Sequence, residues 1–118
     1  MLVVEDTWHV AKALKSALEH IGMDVSGPAA TTAVARRLVA EQMPSVALVD
    51  VNLHGEMACG LIEELHDQGV RVIVTSGYAN PQVPMHKVAA ILQKPFSASE
   101  LMGALHGSGP ALGAAIGC

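Results

Sequence analysis

The sequence predicts an α/β domain in which a doubly wound sheet of five parallel strands is covered by helices on both faces. Short apolar runs alternate with segments of helical periodicity five times along the 118 residues, which is the pattern of repeated βα units. Several of the apolar runs are continuous rather than alternating, as expected of parallel strands that are buried on both faces. Hydrophobic residues make up 51% of the chain, which supports a single domain with an aliphatic core.

Each predicted strand is an apolar run that stops at a polar residue, a glycine or a proline. In chain order the predicted strands are Met1–Val4, Met23–Ser26, Val46–Val51, Val70–Thr75 and Ala89–Gln93. Gly27–Pro28 is expected to close the second strand, and Ser76–Gly77 is expected to break the fourth. The second strand ends in few polar side chains, so we expect it to lie at the periphery of the sheet.

Each predicted helix combines apolar residues three and four positions apart with a capping residue before its first turn. In chain order the predicted helices are Thr7–Glu19 with Asp6 or Thr7 as cap, a second helix capped by Thr31 or Thr32 and running through Glu41, Leu61–Asp67, and a last helix from Ser97 or Ser99 through His106.

Three segments are predicted to be less regular. The stretch NLHGEMACG after the third strand is expected to form a loop, and the two prolines of YANPQVPMHKV predict a short or irregular fourth helix. The end of the chain, GSGPALGAAIGC, is rich in glycine and alanine and predicts a flexible tail or a marginal helix. The domain is therefore assigned to residues 1–106 and the tail to residues 107–118.

Composition excludes several classes of protein. The net charge is −4, with seven basic and eleven acidic residues and no basic block, which argues against direct binding of nucleic acid. No apolar stretch is long enough to span a membrane. The two cysteines, Cys59 and Cys118, lie far apart, so a disulfide framework is not expected and a cytoplasmic location is predicted.

Side chains suited to chemistry occur where the predicted strands end. They are Glu5 and Asp6 after the first strand, Asp50 and Asn52 at the third, Thr75 and Ser76 at the fourth, and Lys94 after the fifth. In an open parallel sheet these carboxyl ends meet at one edge, where ligands bind. Asp50 is the hardest to explain structurally, because an unpaired carboxylate in an apolar strand costs several kcal/mol.

The residue types at this edge predict a metal-assisted phosphoryl site. Clustered carboxylates repel each other unless a cation lies between them, and oxygen ligands of this kind suit Mg²⁺. Asp6, Asp50 and the backbone carbonyl of Asn52 would supply three oxygens, with Glu5 bound directly or through water. Lys94 would balance a further anion. A phosphoryl group is the simplest such anion, and Asp50 is its best acceptor.

The stretches VVED, LVDVNL, VTSGY and QKPF together resemble the four signatures of response-regulator receiver domains of two-component signalling. The resemblance covers residues 1 to about 106. The Ser-Gly-Tyr motif is similar to that of a group of short, chemotaxis-regulator-like receivers common in proteobacteria. The resemblance implies a flavodoxin-like (βα)5 fold with strand order 2-1-3-4-5.

The resemblance also implies a role for each site residue. Asp50 matches the phosphoacceptor, Lys94 the lysine that pairs with the phosphoryl group, and Pro95 a proline that is usually cis in the family. Mg²⁺ would be held by Glu5, Asp6, Asp50 and the Asn52 carbonyl. The switch hydroxyl is either Thr75 or Ser76, and Ser76 is preferred because Gly77 and Tyr78 then match the motif.

The implied function is a signalling switch rather than an enzyme acting on other substrates. A sensor histidine kinase or a histidine phosphotransfer protein would donate the phosphoryl group, and a downstream protein partner or output domain would respond. The domain would catalyse only its own phosphorylation and slow self-dephosphorylation, and a homodimer is a further option in the family. Ile91 occupies the position of the usual aromatic switch residue, and the bulk of Tyr78 is expected to slow hydrolysis.

Two alternative functions are weighed against the switch. A receiver fold used only for docking, without phosphorylation, remains open because fold alone does not fix function. A phosphatase of the haloacid-dehalogenase type would also use an aspartate nucleophile and Mg²⁺. It requires a second aspartate two residues later as general acid and base, and that position is Asn52 here.

Overall fold

The computed structural model describes residues 1–53, 56–57, 59–77, 88–94 and 96–105. The main sheet contains the strands β1 (Leu2–Val4), β2 (Ser26–Ala29), β3 (Val46–Asp50), β6 (Arg71–Ser76) and β7 (Ala90–Gln93). A small antiparallel pair is formed by β4 (Asn52–Leu53) and β5 (Glu56–Met57). The described helices are α1 (Trp8–His20), α2 (Thr32–Glu41), α3 (Cys59–Asp67) and α4 (Ala98–Leu105).

The main sheet is parallel throughout, with strands in the order β2-β1-β3-β6-β7. Counted within this sheet, the order is 2-1-3-4-5, which confirms the predicted flavodoxin-like α/β fold. None of the described helices is both long and apolar enough to cross a membrane.

Two apolar clusters lie on opposite faces of the sheet, and successive apolar residues of β1, β3, β6 and β7 alternate between them. Val4 and Val49 belong to the first cluster, whereas Val3 and Leu48 belong to the second. The first cluster also contains residues of α2 and α3, and the second contains residues of α1 and α4. Burial on both faces explains why these strands are continuous apolar runs in the sequence.

The second strand lies three residues later than predicted, at Ser26–Ala29 instead of Met23–Ser26. It is an edge strand, where a proline that cannot donate to a neighbour is tolerated, so Gly27–Pro28 lies inside it instead of closing it. The predicted start of this strand was wrong because Met23 and Val25 are apolar for another reason. Their side chains pack against the second cluster without belonging to a strand.

Gly27 is required where β2 pairs irregularly with β1. Leu2 pairs with Ser26 and Val4 pairs with Ala29, so two residues of β2 lie opposite Val3 alone. The backbone at Gly27 has a φ of 102°, and a Cβ there would come within 2.8 Å of the Val3 carbonyl oxygen. Both facts favour glycine, which accepts positive φ without steric cost.

Smaller differences concern the ends of elements. Helix α3 begins two residues earlier than predicted, and β6 extends through Ser76 rather than stopping at Thr75. The predicted loop after β3 contains the short β4–β5 pair. The proposed fourth helix, Pro95 and the tail lie outside the described residues.

Two of the predicted helix caps are now assigned. The Thr31 side chain accepts a hydrogen bond from the Val34 N–H, whereas Thr32 is buried inside α2. Ser97 and Glu100 form a reciprocal pair before α4, in which each side chain accepts a hydrogen bond from the other's backbone N–H. This capping box selects Ser97 over Ser99.

Candidate functional site

The carboxyl ends of the central strands bring most of the predicted site residues together. Glu5 and Asp6 directly follow β1, Asp50 is the last residue of β3, and Lys94 directly follows β7. Backbone hydrogen bonds fix these strand ends: the Glu5 N–H donates to the Ala29 carbonyl at 2.9 Å, and the Lys94 N–H donates to the Ser76 carbonyl at 2.7 Å. The site is therefore built on the rigid sheet rather than on a long loop.

Lys94 lies between two buried carboxylates. Its Nζ donates to Glu5 Oε1 at 2.7 Å and to Asp50 Oδ2 at 3.0 Å. Glu5 is 3% exposed and Asp50 is 6% exposed, whereas the Lys94 side chain is 27% exposed. Two buried carboxylates sharing one ammonium explain how the apolar end of β3 tolerates Asp50.

Three carboxylates at this edge could hold a metal ion. Oxygens of Glu5, Asp6 and Asp50 all lie within 4.8 Å of one another. The Asp6 backbone N–H also donates to Glu5 Oε2 at 3.1 Å, which helps to orient that side chain. One lysine cannot balance three carboxylates, and a small divalent cation that prefers oxygen ligands fits this donor set.

The protonation of Glu5 reflects this crowding. Burial raises the pKa of Glu5 from 4.5 to about 7, and the hydrogen bond and charge of Asp50 act in the same direction while Lys94 opposes them. Burial acts to lower the pKa of Lys94, but the hydrogen bonds and charges of Glu5 and Asp50 outweigh it and raise that pKa. Lys94 is therefore charged at neutral pH, while Glu5 holds a proton in part of the molecules.

The two candidate hydroxyls are adjacent and buried at the end of β6. Thr75 is the register partner of Asp50 across β3 and β6, and the Val51 N–H donates to the Thr75 carbonyl at 3.0 Å. Ser76 is the register partner of Gln93 on β7. Because side chains alternate along a strand, the two hydroxyls leave β6 toward opposite faces, with Thr75 on the face of Asp50. Which of them is the switch hydroxyl stays a prediction.

The remaining predicted residues are described in part. Asn52 belongs to the short strand β4, two residues after Asp50, and its carbonyl as a metal ligand stays a prediction. Ile91 is half-buried in β7 and packs against the first apolar cluster. Tyr78 and Pro95 lie outside the described residues.

Two features near the site were not anticipated. Glu5 was predicted only as a metal ligand, yet its carboxylate makes the shorter of the two Lys94 contacts. Trp8, the first residue of α1, is 72% exposed, and the Lys12 ammonium lies 4.9 Å from its ring centroid. The spacing of four residues on one helix was a usable signal for the Trp8–Lys12 pair.

Comparison with known proteins gives a consistent result. The response regulator receiver domain family matches residues 1–106. A search of curated proteins found no relative of this chain.

Solved structures with the same fold come from several organisms. A response regulator protein from Burkholderia pseudomallei, solved with a phosphorylated aspartic acid, a calcium ion and citrate, is 26% identical with a TM-score of 0.78. That match covers 88% of this chain and 64% of the Burkholderia chain, so this chain spans less than two thirds of that protein.

Two further structures are similar over most of both chains. A CheY-like receiver domain protein from Methanospirillum hungatei is 24% identical with a TM-score of 0.80, covering 89% of this chain and 88% of that one. The receiver domain of NtrX from Brucella abortus is 21% identical with a TM-score of 0.78, covering 91% and 96%. At these identities the two structures support the fold alone.

Proposed function

The chain belongs to the response regulator receiver domain family, and on that premise we propose that it is a phosphorylation switch with Asp50 as the phosphoacceptor. The observation that carries the proposal is the buried Asp50 carboxylate at the end of β3, in direct contact with Lys94 and within the acidic cluster. The proposed donor is a phosphohistidine of a sensor histidine kinase or a histidine phosphotransfer protein. The phosphorylated aspartic acid of the Burkholderia pseudomallei relative supports the same chemistry here.

The proposed transfer is a displacement at phosphorus. A carboxylate oxygen of Asp50 forms the new P–O bond as the N–P bond of the donor breaks, and the imidazole leaves with the electron pair. The product on Asp50 is an acyl phosphate. The Lys94 ammonium, 3.0 Å from Asp50 Oδ2, stabilises negative charge on the transferring oxygens.

Glu5, Asp6 and Asp50 are the residues that would hold Mg²⁺, together with the Asn52 carbonyl. When bound there, Mg²⁺ would neutralise charge on the phosphoryl oxygens and orient them. Oxygen donors within 4.8 Å of one another support this assignment. The acidic pair after β1 would then bind the metal, while Lys94 would turn from Glu5 toward the phosphoryl group.

The proposed output is a change at the end of β6. A hydroxyl of Thr75 or Ser76 would bond to the phosphoryl group and shift the adjoining segment between two states. A downstream protein partner or output domain would recognise one of these states, and a homodimer is a further option. We propose no enzymatic role beyond self-phosphorylation and slow hydrolysis of the acyl phosphate on Asp50. A cytoplasmic location is also proposed, and the presence of only two cysteines, far apart in the sequence, supports it.

Intact-mass measurement after incubation with acetyl phosphate and Mg²⁺ tests the proposal. The wild-type chain should gain one phosphoryl group, and both Asp50→Asn and added EDTA should abolish the gain. Asp67→Asn is the matched control, because Asp67 is an exposed aspartate at the end of α3 and should leave the gain unchanged. An unmodified mass for the wild-type chain, without Mg²⁺ binding, would favour the docking module instead.

Two conservative variants separate the candidate hydroxyls. Thr75→Val and Ser76→Ala each remove one hydroxyl at nearly constant volume. The variant that lacks the switch hydroxyl should still be phosphorylated but should lose the phosphoryl group at a changed rate, whereas the other should decay like the wild type. Equal decay in all three proteins would contradict a role for either hydroxyl.

A further inference from the structure

An apolar groove lies between α2 and α3 on the outside of the domain. Its volume is about 480 Å³. Val39 of α2 with Leu61 and Leu65 of α3 are its buried lining, whereas Ala40 and Met43 line it and are exposed. Met43 is 54% exposed, which is unusual for a large apolar side chain in this protein. The groove therefore combines a buried apolar floor with apolar side chains that remain in contact with solvent.

An ion pair crosses this groove from one helix to the other. The Arg36 Nε donates to Glu64 Oε2 at 2.7 Å, and both residues line the groove. Both side chains are about half exposed, so the pair adds little to the stability of the fold. The contact also shows that Arg36 and Glu64 lie at about the same level along the two helices.

The exposed charges on the two sides of the groove differ in sign. Counting histidine as neutral, the exposed charged residues of α2 are Arg36, Arg37 and Glu41, and those of α3 are Glu63, Glu64 and Asp67. Helix α2 is thus mainly basic, and α3 is acidic. This surface, the α2–α3 face, complements a partner that is acidic opposite α2 and basic opposite α3.

A second copy of the α2–α3 face has that arrangement when it is turned about a two-fold axis parallel to the helices. Both helices connect parallel strands and pack on the same face of the sheet, so they run in the same direction. Rotation about such an axis places α2 of each copy opposite α3 of the other, in an isologous contact. Because Arg36 and Glu64 are level, each Arg36 would then lie beside the partner's Glu64. An axis across the helices would instead oppose α2 to α2, which brings like charges together.

We infer that a second copy of this chain docks on the α2–α3 face, with the two grooves packed against each other around the Arg36–Glu64 pairs. A second copy is favoured over an unrelated protein because one chain carries both halves of the charge pattern. Docking would cover Ala40 and Met43, and the adaptable Met43 side chain can fill irregular space between the grooves. Burial of this apolar surface supplies the affinity, and the charges set the orientation. The α2–α3 face thus gives a surface to the homodimer named as an option above, and docking there needs neither phosphorylation nor Mg²⁺.

Sedimentation equilibrium of the full chain in EDTA, without a phosphoryl donor, tests the inference independently of the phosphorylation switch. The mass of the wild type should rise with protein concentration toward twice that of one chain. Ala40→Glu puts a charge into the apolar contact and should raise the dissociation constant by about tenfold or more. Ala13→Glu is the matched control and should leave it unchanged, because Ala13 is an exposed alanine of α1, on the opposite face of the sheet.

Charge reversal separates contacts between chains from contacts within one chain. Arg36→Glu and Glu64→Arg each oppose like charges in a symmetric dimer, so each variant alone should dimerise about tenfold or more weakly. An equimolar mixture of the two variants should regain dimers, because every charge at these two positions then faces an opposite charge on the partner. Both variants lack the ion pair within the chain, so loss of that pair cannot explain the recovery.

Three results would overturn the inference. One is a wild-type chain that stays monomeric at every concentration. Another is a dimer that Ala40→Glu leaves unchanged, which would assign dimerisation to a different face. The third is a mixture of Arg36→Glu and Glu64→Arg that dimerises no better than either variant alone. None of these results bears on phosphorylation of Asp50, which the mass measurement tests separately.

Discussion

Glu5→Gln is expected to flatten the pH dependence of folding stability in the metal-free protein. Glu5 is buried and its pKa is raised from 4.5 to about 7, chiefly by burial. The unfolded chain therefore releases this proton at a lower pH than the folded chain does. The stabilising contribution of the protonated carboxyl is fully present below about pH 4.5, declines as the pH rises, and is lost above about pH 7. Glutamine has no such proton to lose.

The size of the effect follows from the pKa difference. A difference of about 2.5 pH units corresponds to about 3 kcal/mol of unfolding free energy over the whole titration. Between about pH 5 and pH 8 the wild type should lose roughly 2–3 kcal/mol of unfolding free energy relative to Glu5→Gln. Little of this is reduced by solvent screening, because the Glu5 side chain is only 2% exposed.

Urea unfolding in EDTA at several pH values between these limits measures the effect as a difference between the two proteins. Glu41→Gln, an exposed glutamate at the end of α2, serves as the matched control and should follow the wild type at every pH. Asp50→Asn should shift the wild-type profile to lower pH, because the hydrogen bond and charge of Asp50 both raise the pKa of Glu5. Parallel profiles for wild type and Glu5→Gln would refute the assignment of a buried, protonated Glu5.

Three further substitutions test how the site is supported, each by urea unfolding at one pH. Gly27→Ala should cost about 1–3 kcal/mol or more, because it forces an L side chain to positive φ with its Cβ 2.8 Å from the Val3 carbonyl; an unchanged midpoint would show that β2 can move away. Ser97→Ala should cost about 1 kcal/mol by removing the cap of α4, and a neutral result would show that Glu100 alone suffices. The Arg71 guanidinium donates hydrogen bonds to the Ala104 and Leu105 carbonyls at the end of α4, so Arg71→Met should cost about 1–3 kcal/mol and speed hydrogen exchange in the last turn of α4. Unchanged exchange there would argue against a stabilising role of these two bonds.

Much of the site was predictable because two local rules combine. Continuous apolar runs between helical segments predict a parallel sheet, and the carboxyl ends of parallel strands share one edge. Glu5, Asp50 and Lys94 each follow or end such a run, so the sequence alone could assign them to one site. The same reasoning could not separate Thr75 from Ser76, because both residues end the same strand.

Local patterns were less informative at the periphery. Met23 and Val25 carry the apolar signature of a strand but only pack against the core, while the strand itself runs through Gly27 and Pro28. The position of the edge strand β2 is set by its backbone hydrogen bonds to β1, which do not require a particular pattern of apolar residues. Ala13 and Ala17 are apolar residues of α1 that are nevertheless exposed, because helical periodicity shows that a residue is apolar but not whether another element covers it.

The fold class, the order of the elements and the types of side chain at the edge of the sheet all follow from the linear pattern of residues. Tertiary structure alone decided that Lys94 bonds to Glu5 as well as to Asp50, across 89 residues of chain. It also decided the raised pKa of Glu5, since burial and the distances to Asp50 and Lys94 arise only when three strands are brought together. Periodicity and capping act over a few residues and can be found in a linear sequence, whereas desolvation and charge depend on neighbours supplied by the whole fold.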